Sequence, residues 1–139
     1  MTARKRASGA PGRSAPPMLE IPGDRNSVTL EIDGHDVRLT NLRKPFWPEL
    51  GITKGGLLQY YAAVASALLP HIRERGMVMK RYPNGWQGDY FFMKRAPEHR
   101  PDWIETCPVE HASGSVIDFP IIQDVAALLW VINLGCIDL

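Results

Sequence analysis

The sequence predicts a mixed α/β domain of the α+β class, in which short strands are interleaved with two helices. Three patterns carry this prediction. Apolar and polar residues alternate over residues 28–39, apolar residues recur at helical spacing over residues 53–75, and short strand-like runs then precede a second apolar helix. A length of 139 residues with 45% hydrophobic side chains is enough for one domain with its own core.

The first 25 residues predict a flexible basic tail ahead of a domain that spans residues 26–139. They are rich in Pro, Ser, Gly and Ala and carry Arg4, Lys5, Arg6 and Arg13. Such a composition buries too little apolar surface to offset the entropy of ordering. The tail's cations could add salt-sensitive attraction to phosphates, or the tail could serve only solubility or linkage.

The ordered part is expected to begin with a β-hairpin and a long helix. Val28, Leu30 and Ile32 alternate with polar residues before an Asp-Gly turn, and Thr53 is positioned as a helix N-cap. The helix should bend or restart near Pro70. The residues on its apolar face are Leu57, Leu58, Tyr61, Val64, Ala65, Leu68, Leu69 and Ile72.

Four further strands and a second helix are predicted downstream. The strands cover residues 77–82, 90–94, 103–109 and 115–122, and the last two are joined by a Gly-containing turn at "HASGS". The second helix is capped by Asp124 and closed by Gly135.

Composition excludes several classes of protein. Sixteen Lys and Arg against fifteen Asp and Glu exclude a histone-like polycation but allow a local basic face. Cys107 and Cys136 have no CxxC spacing, and the four histidines have no metal-ligand rhythm, so no structural metal is expected. No apolar run approaches a membrane span, which predicts a cytoplasmic protein without a membrane partner.

A first candidate site lies in "LTNLRKPFWPELGITKGG", which carries Asn41, Lys44, Thr53 and Lys54. Lys54 falls in the first helical turn, where free N–H groups and the helix dipole favour an anion. A phosphate there would offset the unfavourable position of the lysine. The alternative is a solvated helix start with an ordinary surface lysine, and the segment does not match a Walker A loop.

A second candidate site is the stretch "KRYPNGWQGDYFFMKR". Lys80 and Arg81 precede a turn, and Phe91 and Phe92 follow it. Adjacent strand residues point to opposite faces, so one phenylalanine should enter the core and the other should face outward to stack a base. The alternative buries both rings and leaves the cations lying over apolar surface.

No catalytic residue is predicted from the visible motifs. The chain contains no Asp-x-Asp, which two-metal phosphoryl transfer often uses, and no nucleophile elbow or Gly-rich dinucleotide loop.

Three segments together resemble the polymerase domain of bacterial DNA ligase D, a primase-polymerase of the archaeo-eukaryotic primase superfamily that acts in non-homologous end joining. They are "LTNLRKPFWPELGITKGGLLQYYAAVASALLPHI", "KRYPNGWQGDYFFMKRAPEHRPDWI" and "DVAALLWVINLGCIDL". The resemblance covers residues from about 28 to 139, which correspond to the first half of the family domain, and implies an archaeo-eukaryotic primase-like fold.

The resemblance implies roles for seven residues. Asn41, Lys44 and Lys54 take the positions that bind the 5′-phosphate of a DNA gap or break. Lys80 and Arg81 take positions that handle nucleotide and template, and the aromatic pair Phe91 and Phe92 takes the position that packs against DNA at the template step.

The resemblance also implies that catalysis needs residues that this sequence does not contain. The family uses Mn or Mg ions and nucleoside triphosphates, and its catalytic aspartates lie downstream of the last helix. The expected function is therefore DNA-end binding near the nucleoid, with no cofactor bound and no activity by the chain alone. Two arrangements remain open: a separate polypeptide carrying the catalytic half, or a non-catalytic or decayed module. The incomplete domain should expose apolar surface around residues 128–132.

Overall fold

The computed structural model of the protein describes residues 19–139. Two helices and nine short strands form its framework. In chain order the elements are β1 Val28–Ile32, β2 His35–Leu39, β3 Pro45–Trp47, β4 Ile52–Thr53, α1 Lys54–Ile72, β5 Met79–Arg81, β6 Phe91–Met93, β7 Glu105–Glu110, β8 Val116–Ile121, α2 Val125–Ile132 and β9 Cys136–Asp138. The mixed α and β composition confirms the predicted fold class.

The predicted first hairpin is confirmed. Strands β1 and β2 pair antiparallel with Ile32 opposite His35 across the Asp-Gly turn. Val37 and Leu39 of β2 are fully buried, whereas the alternating Asp36 and Arg38 face solvent. One face of the hairpin therefore covers the core, as its alternating pattern predicts.

The long helix is also confirmed, with Thr53 as its N-cap. The Thr53 hydroxyl accepts a hydrogen bond from the Gly56 N–H, and the helix ends at Ile72. Pro70 lies inside the last turn, and the helix continues through it without restarting. Because proline has no N–H, the helix lacks the hydrogen bond that residue 70 would otherwise donate to the Ser66 carbonyl.

The second candidate stretch contributes strands β5 and β6 to the antiparallel sheet β6-β5-β9. Strand β5 lies in the centre, and β9 pairs with it through Lys80 opposite Asp138. Strands β5 and β6 are confirmed, whereas β9 has no counterpart among the predicted strands. The short β3-β4 pair that surrounds the aromatic-proline turn also has no predicted counterpart.

Helix α2 is enclosed on all sides within the described part of the chain. Asp124 caps it by accepting from the Ala127 N–H, as predicted. The expectation that truncation exposes this helix is wrong, because residues 128–132 are all buried among α1, β2 and neighbouring elements. Helix α2 is apolar on every face, and elements of the same chain cover it on several sides.

The predicted tail lies mostly outside the described residues. Residues 1–18 are not described, but Leu19 and Ile21 near its end contact α1. Gln59 donates from its side-chain amide to the Leu19 carbonyl and accepts from the Ile21 N–H, each at 2.8 Å. The placement of the domain boundary stays a prediction. No helix among residues 19–139 is long and apolar enough to cross a membrane.

Candidate functional site

A cavity of about 350 Å³ lies where the loop after β2, the start of α1, the end of β5 and the loop after α2 meet. Asn41, Lys44 and Lys54 of the first candidate site line it, together with Arg81 from the second, whereas Thr53 does not. The lining is Thr40, Asn41, Lys44, Phe46, Lys54, Arg81, Pro83, His99, Asn133, Leu134 and Gly135. We call this the cationic cavity, because Lys44, Lys54 and Arg81 line it and none of its lining residues is acidic.

The loop after β2 turns sharply into the cavity. Asn41 adopts a left-handed conformation with φ of 55°, and its carbonyl accepts from the Lys44 N–H at 3.1 Å. Asparagine is one of the few residues with a side chain that adopts this conformation readily. The Thr40 N–H donates to Asn133 Oδ1 at 2.9 Å, which ties this loop to the end of α2. The turn thus places Asn41 and Lys44 on one wall.

The N–H groups at the start of α1 are already hydrogen-bonded. The Lys54 N–H donates to the Lys44 carbonyl, and the Gly55 N–H donates to the Leu42 carbonyl, each at 2.8 Å. The Gly56 N–H donates to the Thr53 hydroxyl. The expectation that free backbone donors at this helix start bind an anion is therefore wrong, since three of them have protein acceptors. Any anion at this end would be held by side chains.

Lys54 is the deepest of the cations, with only 5% of its surface exposed. Burial, followed by the nearby charges of Lys44 and Arg81, lowers its pKa to about 8. A buried ammonium is costly unless an opposite charge compensates it. The alternative of an ordinary solvated lysine is thus wrong for this position. The cavity favours an anion at Lys54.

Lys44 lies at the mouth of the cationic cavity and contacts the turn after β5. Its ammonium donates to the Pro83 carbonyl and, at 2.9 Å, to Asn84 Oδ1. Both acceptors are neutral, so they orient the ammonium without neutralising it. One donor of the three on an ammonium remains for a ligand.

Arg81 also lines the cavity, which the sequence did not predict. Its Nε donates to the Leu134 carbonyl at 2.7 Å, and its guanidinium lies 5.0 Å from the Phe91 ring centroid. These contacts hold the fork in place while its other donors remain available. The position of Arg81 on β5 does not predict that it lines the cavity. The cavity wall beside Arg81 is formed by Leu134 and Gly135, which lie more than 50 positions later in the sequence. Period-two alternation of β5 would have shown only that Lys80 and Arg81 face apart.

The second candidate site is divided between two faces of the β6-β5-β9 sheet. Lys80 pairs with Phe92, and Arg81 pairs with Phe91. Both phenylalanines are exposed, Phe91 to 46% and Phe92 to 61%. The expectations that one or both enter the core are therefore wrong. Strand β6 is at the sheet edge, and Met93 is its residue that packs against the core.

Lys80 forms a separate cluster with three aromatic rings on the face away from Arg81. Its ammonium lies 4.0 Å from the Tyr90 ring centroid, 5.4 Å from that of Tyr82 and 5.8 Å from that of Phe92. These distances are in the range of cation–π contacts. We call Lys80, Tyr82, Tyr90 and Phe92 the aromatic-lysine cluster.

The described residues do not offer a metal site. Among residues 19–139, no three His, Cys, Asp or Glu side chains are grouped closely enough to hold an ion. These residues therefore do not supply the grouped ligands that a divalent metal requires.

Comparison with known proteins gives one consistent family. The family model described as "LigD, primase-polymerase domain" matches residues 53–139. The chain is 39% identical over 95 residues to the multifunctional non-homologous end joining protein LigD of Mycolicibacterium smegmatis. It is 30% identical over 97 residues to the bifunctional non-homologous end joining protein LigD of Bacillus subtilis.

A solved structure shares the fold. The polymerase domain from Mycobacterium tuberculosis ligase D in complex with DNA matches with a TM-score of 0.67 and 36% identity, over 70% of this chain and 33% of that one. The matched segments cover 68% and 70% of this chain but only 12% and 15% of the M. smegmatis and B. subtilis proteins. The chain thus corresponds to a small part of those relatives.

Proposed function

Because this chain belongs to the LigD primase-polymerase domain family, we propose that its cationic cavity binds the 5′-phosphate of a DNA gap or broken end. The residues Asn41, Lys44 and Lys54 bind the phosphate, as the family resemblance implies. The solved relative was determined in complex with DNA, which supports a nucleic-acid ligand.

The convergence of these three residues on one cavity is the observation that carries the proposal. Asn41 supplies an amide donor, and Lys44 and Lys54 supply ammonium groups. Charge-assisted hydrogen bonds to a phosphate are stronger than neutral ones. Because Lys54 is buried and its pKa is lowered, a bound dianion would also relieve the repulsion that it experiences.

The aromatic-lysine cluster is proposed to contact the DNA strand next to the phosphate. Phe92 and Tyr90 expose 61% and 53% of their surface, so their rings are free to stack on bases. Phe91 and Arg81, on the other face, would contact the same strand nearer the cationic cavity. The assignment of these residues to template and nucleotide handling stays a proposal.

A fluorescence titration with gapped DNA tests the 5′-phosphate site. The DNA is prepared with and without a 5′-phosphate at the gap and compared at fixed salt, because phosphate contacts depend on ionic strength. The protein should prefer the phosphorylated gap, and Lys44→Ala and Lys54→Ala should each lose about 1.5–3 kcal/mol of that preference.

Lys94→Ala is the matched control, since Lys94 is exposed and does not line the cavity. It should reduce binding to both DNAs equally and leave the preference intact. If the two cavity variants kept the preference of the parent chain, the assigned site would be wrong.

A nucleotide-incorporation assay addresses the further prediction that the chain does not polymerise alone. Labelled nucleoside triphosphates and Mn or Mg ions are added to the chain with gapped DNA, and no extension is expected. Extension by the purified chain would contradict that prediction. A second polypeptide that restores activity would identify the partner proposed for the catalytic half.

A further inference from the structure

The charge of the cationic cavity exceeds what one terminal phosphate can neutralise. Lys44, Lys54 and Arg81 all line it, and the described lining contains no carboxylate. A phosphate monoester carries about −1.5 to −2 at pH 7. At least one positive charge would therefore remain uncompensated.

The three cations are close enough to influence one another. The charges of Lys44 and Arg81 both contribute to lowering the pKa of Lys54, after the larger effect of burial. Opposite charges nearby would act in the reverse direction. Lys44 and Arg81 therefore each repel the charge of Lys54 within the same cavity.

The cationic cavity is also larger than a single phosphate requires. Its volume of about 350 Å³ equals roughly a dozen water molecules at their share of liquid volume. A terminal phosphate displaces only a few waters. Space therefore remains beside the Lys54 ammonium for a second group of the same kind.

We infer that the cationic cavity accommodates a 5′-diphosphate terminus of a nucleic acid strand and binds it more tightly than a 5′-monophosphate. This inference rests on the proposed function. The second phosphate adds negative charge that the third cation compensates, and it fills volume that a monophosphate leaves to water. Buried Lys54 would contact one phosphate, while Lys44 at the mouth and the Arg81 fork would contact the other.

The ligand could come from a strand end or from a free nucleotide, because both present linked phosphates. Inorganic pyrophosphate and orthophosphate serve as probes of the shared chemistry. At equal ionic strength, pyrophosphate should displace phosphorylated gapped DNA at a concentration at least tenfold lower than orthophosphate does. A nucleoside diphosphate that displaced DNA far better than pyrophosphate would mean that a free nucleotide is the preferred source and would overturn the strand-end assignment.

The deciding experiment measures Kd for the full chain with three gapped DNAs that carry 5′-hydroxyl, 5′-monophosphate or 5′-diphosphate groups at the gap. The diphosphate should bind at least tenfold more tightly than the monophosphate, and the monophosphate more tightly than the hydroxyl. Equal binding of monophosphate and diphosphate would overturn the inference alone. Equal binding of hydroxyl and monophosphate would overturn the proposed function.

Three variants separate the effect of charge from an effect on folding. Arg81→Gln removes one charge and should abolish the extra affinity for diphosphate while retaining a preference for monophosphate over hydroxyl. Lys94→Ala, outside the cavity, should weaken binding to all three DNAs by the same factor and leave their ranking unchanged. Thermal unfolding of each variant identifies any that does not fold, and Arg81→Lys, which keeps the charge, should then restore the diphosphate preference. A preference for diphosphate that survives Arg81→Gln would overturn the role given to the third cation.

Discussion

The Lys44 ammonium donates a hydrogen bond of 2.9 Å to the side-chain amide oxygen of Asn84, across 40 positions of sequence. This contact joins the loop after β2 to the turn after β5. It positions a cation at the mouth of the cationic cavity with a partner that carries no charge. The identity of residue 84 should therefore control how much positive charge a DNA end meets there.

Asn84→Asp tests this relationship. A carboxylate at that position would neutralise Lys44 and repel an incoming phosphate, so affinity for the phosphorylated gap should fall about fivefold, which corresponds to roughly 1 kcal/mol. Titration with phosphorylated and unphosphorylated gapped DNA measures the effect. Asn84→Ala is the neutral control and should change the preference less. Equal losses in both variants would show that the amide acts through turn geometry instead.

Lys54→Met should stabilise the fold while it removes phosphate binding. Methionine keeps a long apolar side chain but eliminates a buried charge, and replacement of such charges by apolar groups is often stabilising. We expect the free energy of unfolding at pH 7 to rise by roughly 1–3 kcal/mol. Denaturant titration measures this rise. A loss of stability would mean that the Lys54 ammonium has a compensating partner in the folded chain.

The difference in stability between the parent chain and Lys54→Met should shrink as pH rises. The folded pKa of Lys54 is about 8, below its usual value of 10.5. The folded state thus releases its proton first, and the penalty, fully present below pH 8, is lost between about pH 8 and 10.5. Burial raises the pKa of Tyr61 and of Cys136 to about 12, but these groups occur in both proteins and cancel. Parallel unfolding curves from pH 7 to 10.5 check this, and a constant difference would contradict it.

Gly135→Ala should destabilise the wall of the cationic cavity. Gly135 has φ of 92°, and a Cβ added there would lie 3.3 Å from the Pro83 Cα. A side chain in this region is strained, so we expect a loss of about 1–3 kcal/mol. Gly114→Ala is a matched control, because Gly114 has φ of 89° with no neighbour within 4 Å of the added Cβ. A smaller loss at Gly135 than at Gly114 would contradict the close approach.

Phe92→Ala should weaken binding to DNA that has a single-stranded segment beside the phosphate. One lost stacking contact costs about 1–3 kcal/mol, and thermal stability should hardly change because the ring is 61% exposed. The titration compares a gap with a fully paired nick. Val116→Ala, at an exposed apolar position on another hairpin, is the control. Equal effects of Phe92→Ala on both substrates would mean that the Phe92 ring does not stack on a base of the single-stranded segment.

Local patterns predict the main elements well. The Asp-Gly turn, the Thr53 cap and the Asp124 cap all depend on residues within a few positions of one another, and each is present as expected. Strand β9 was missed because it follows α2 by only a few residues and has three residues of its own. This strand forms because β5 supplies its hydrogen-bond partners. Residues 136–138 carry no sequence pattern that predicts pairing with a strand more than 50 positions away.

The site was predictable in its residues but not in its grouping. The resemblance to ligase D polymerase domains pointed to Asn41, Lys44 and Lys54, and the structure brings all three to one cavity. It also brings Arg81 there and leaves Lys80 outside, a division set by strand alternation combined with the position of Leu134. The acceptors that occupy the first N–H groups of α1, such as the Leu42 carbonyl, are set by loop geometry and could not be read from sequence.

The hydrogen bond between the Thr40 N–H and Asn133 joins residues 93 positions apart, and this separation constrains when the cavity can exist during protein synthesis. The ribosome produces the loop that carries Asn41 and Lys44 well before the opposite wall at Leu134 and Gly135. Contacts of such long separation form slowly, because a large loop must close first. A nascent chain therefore presents isolated lysines to its surroundings, and the cationic cavity is complete only after translation has passed Gly135.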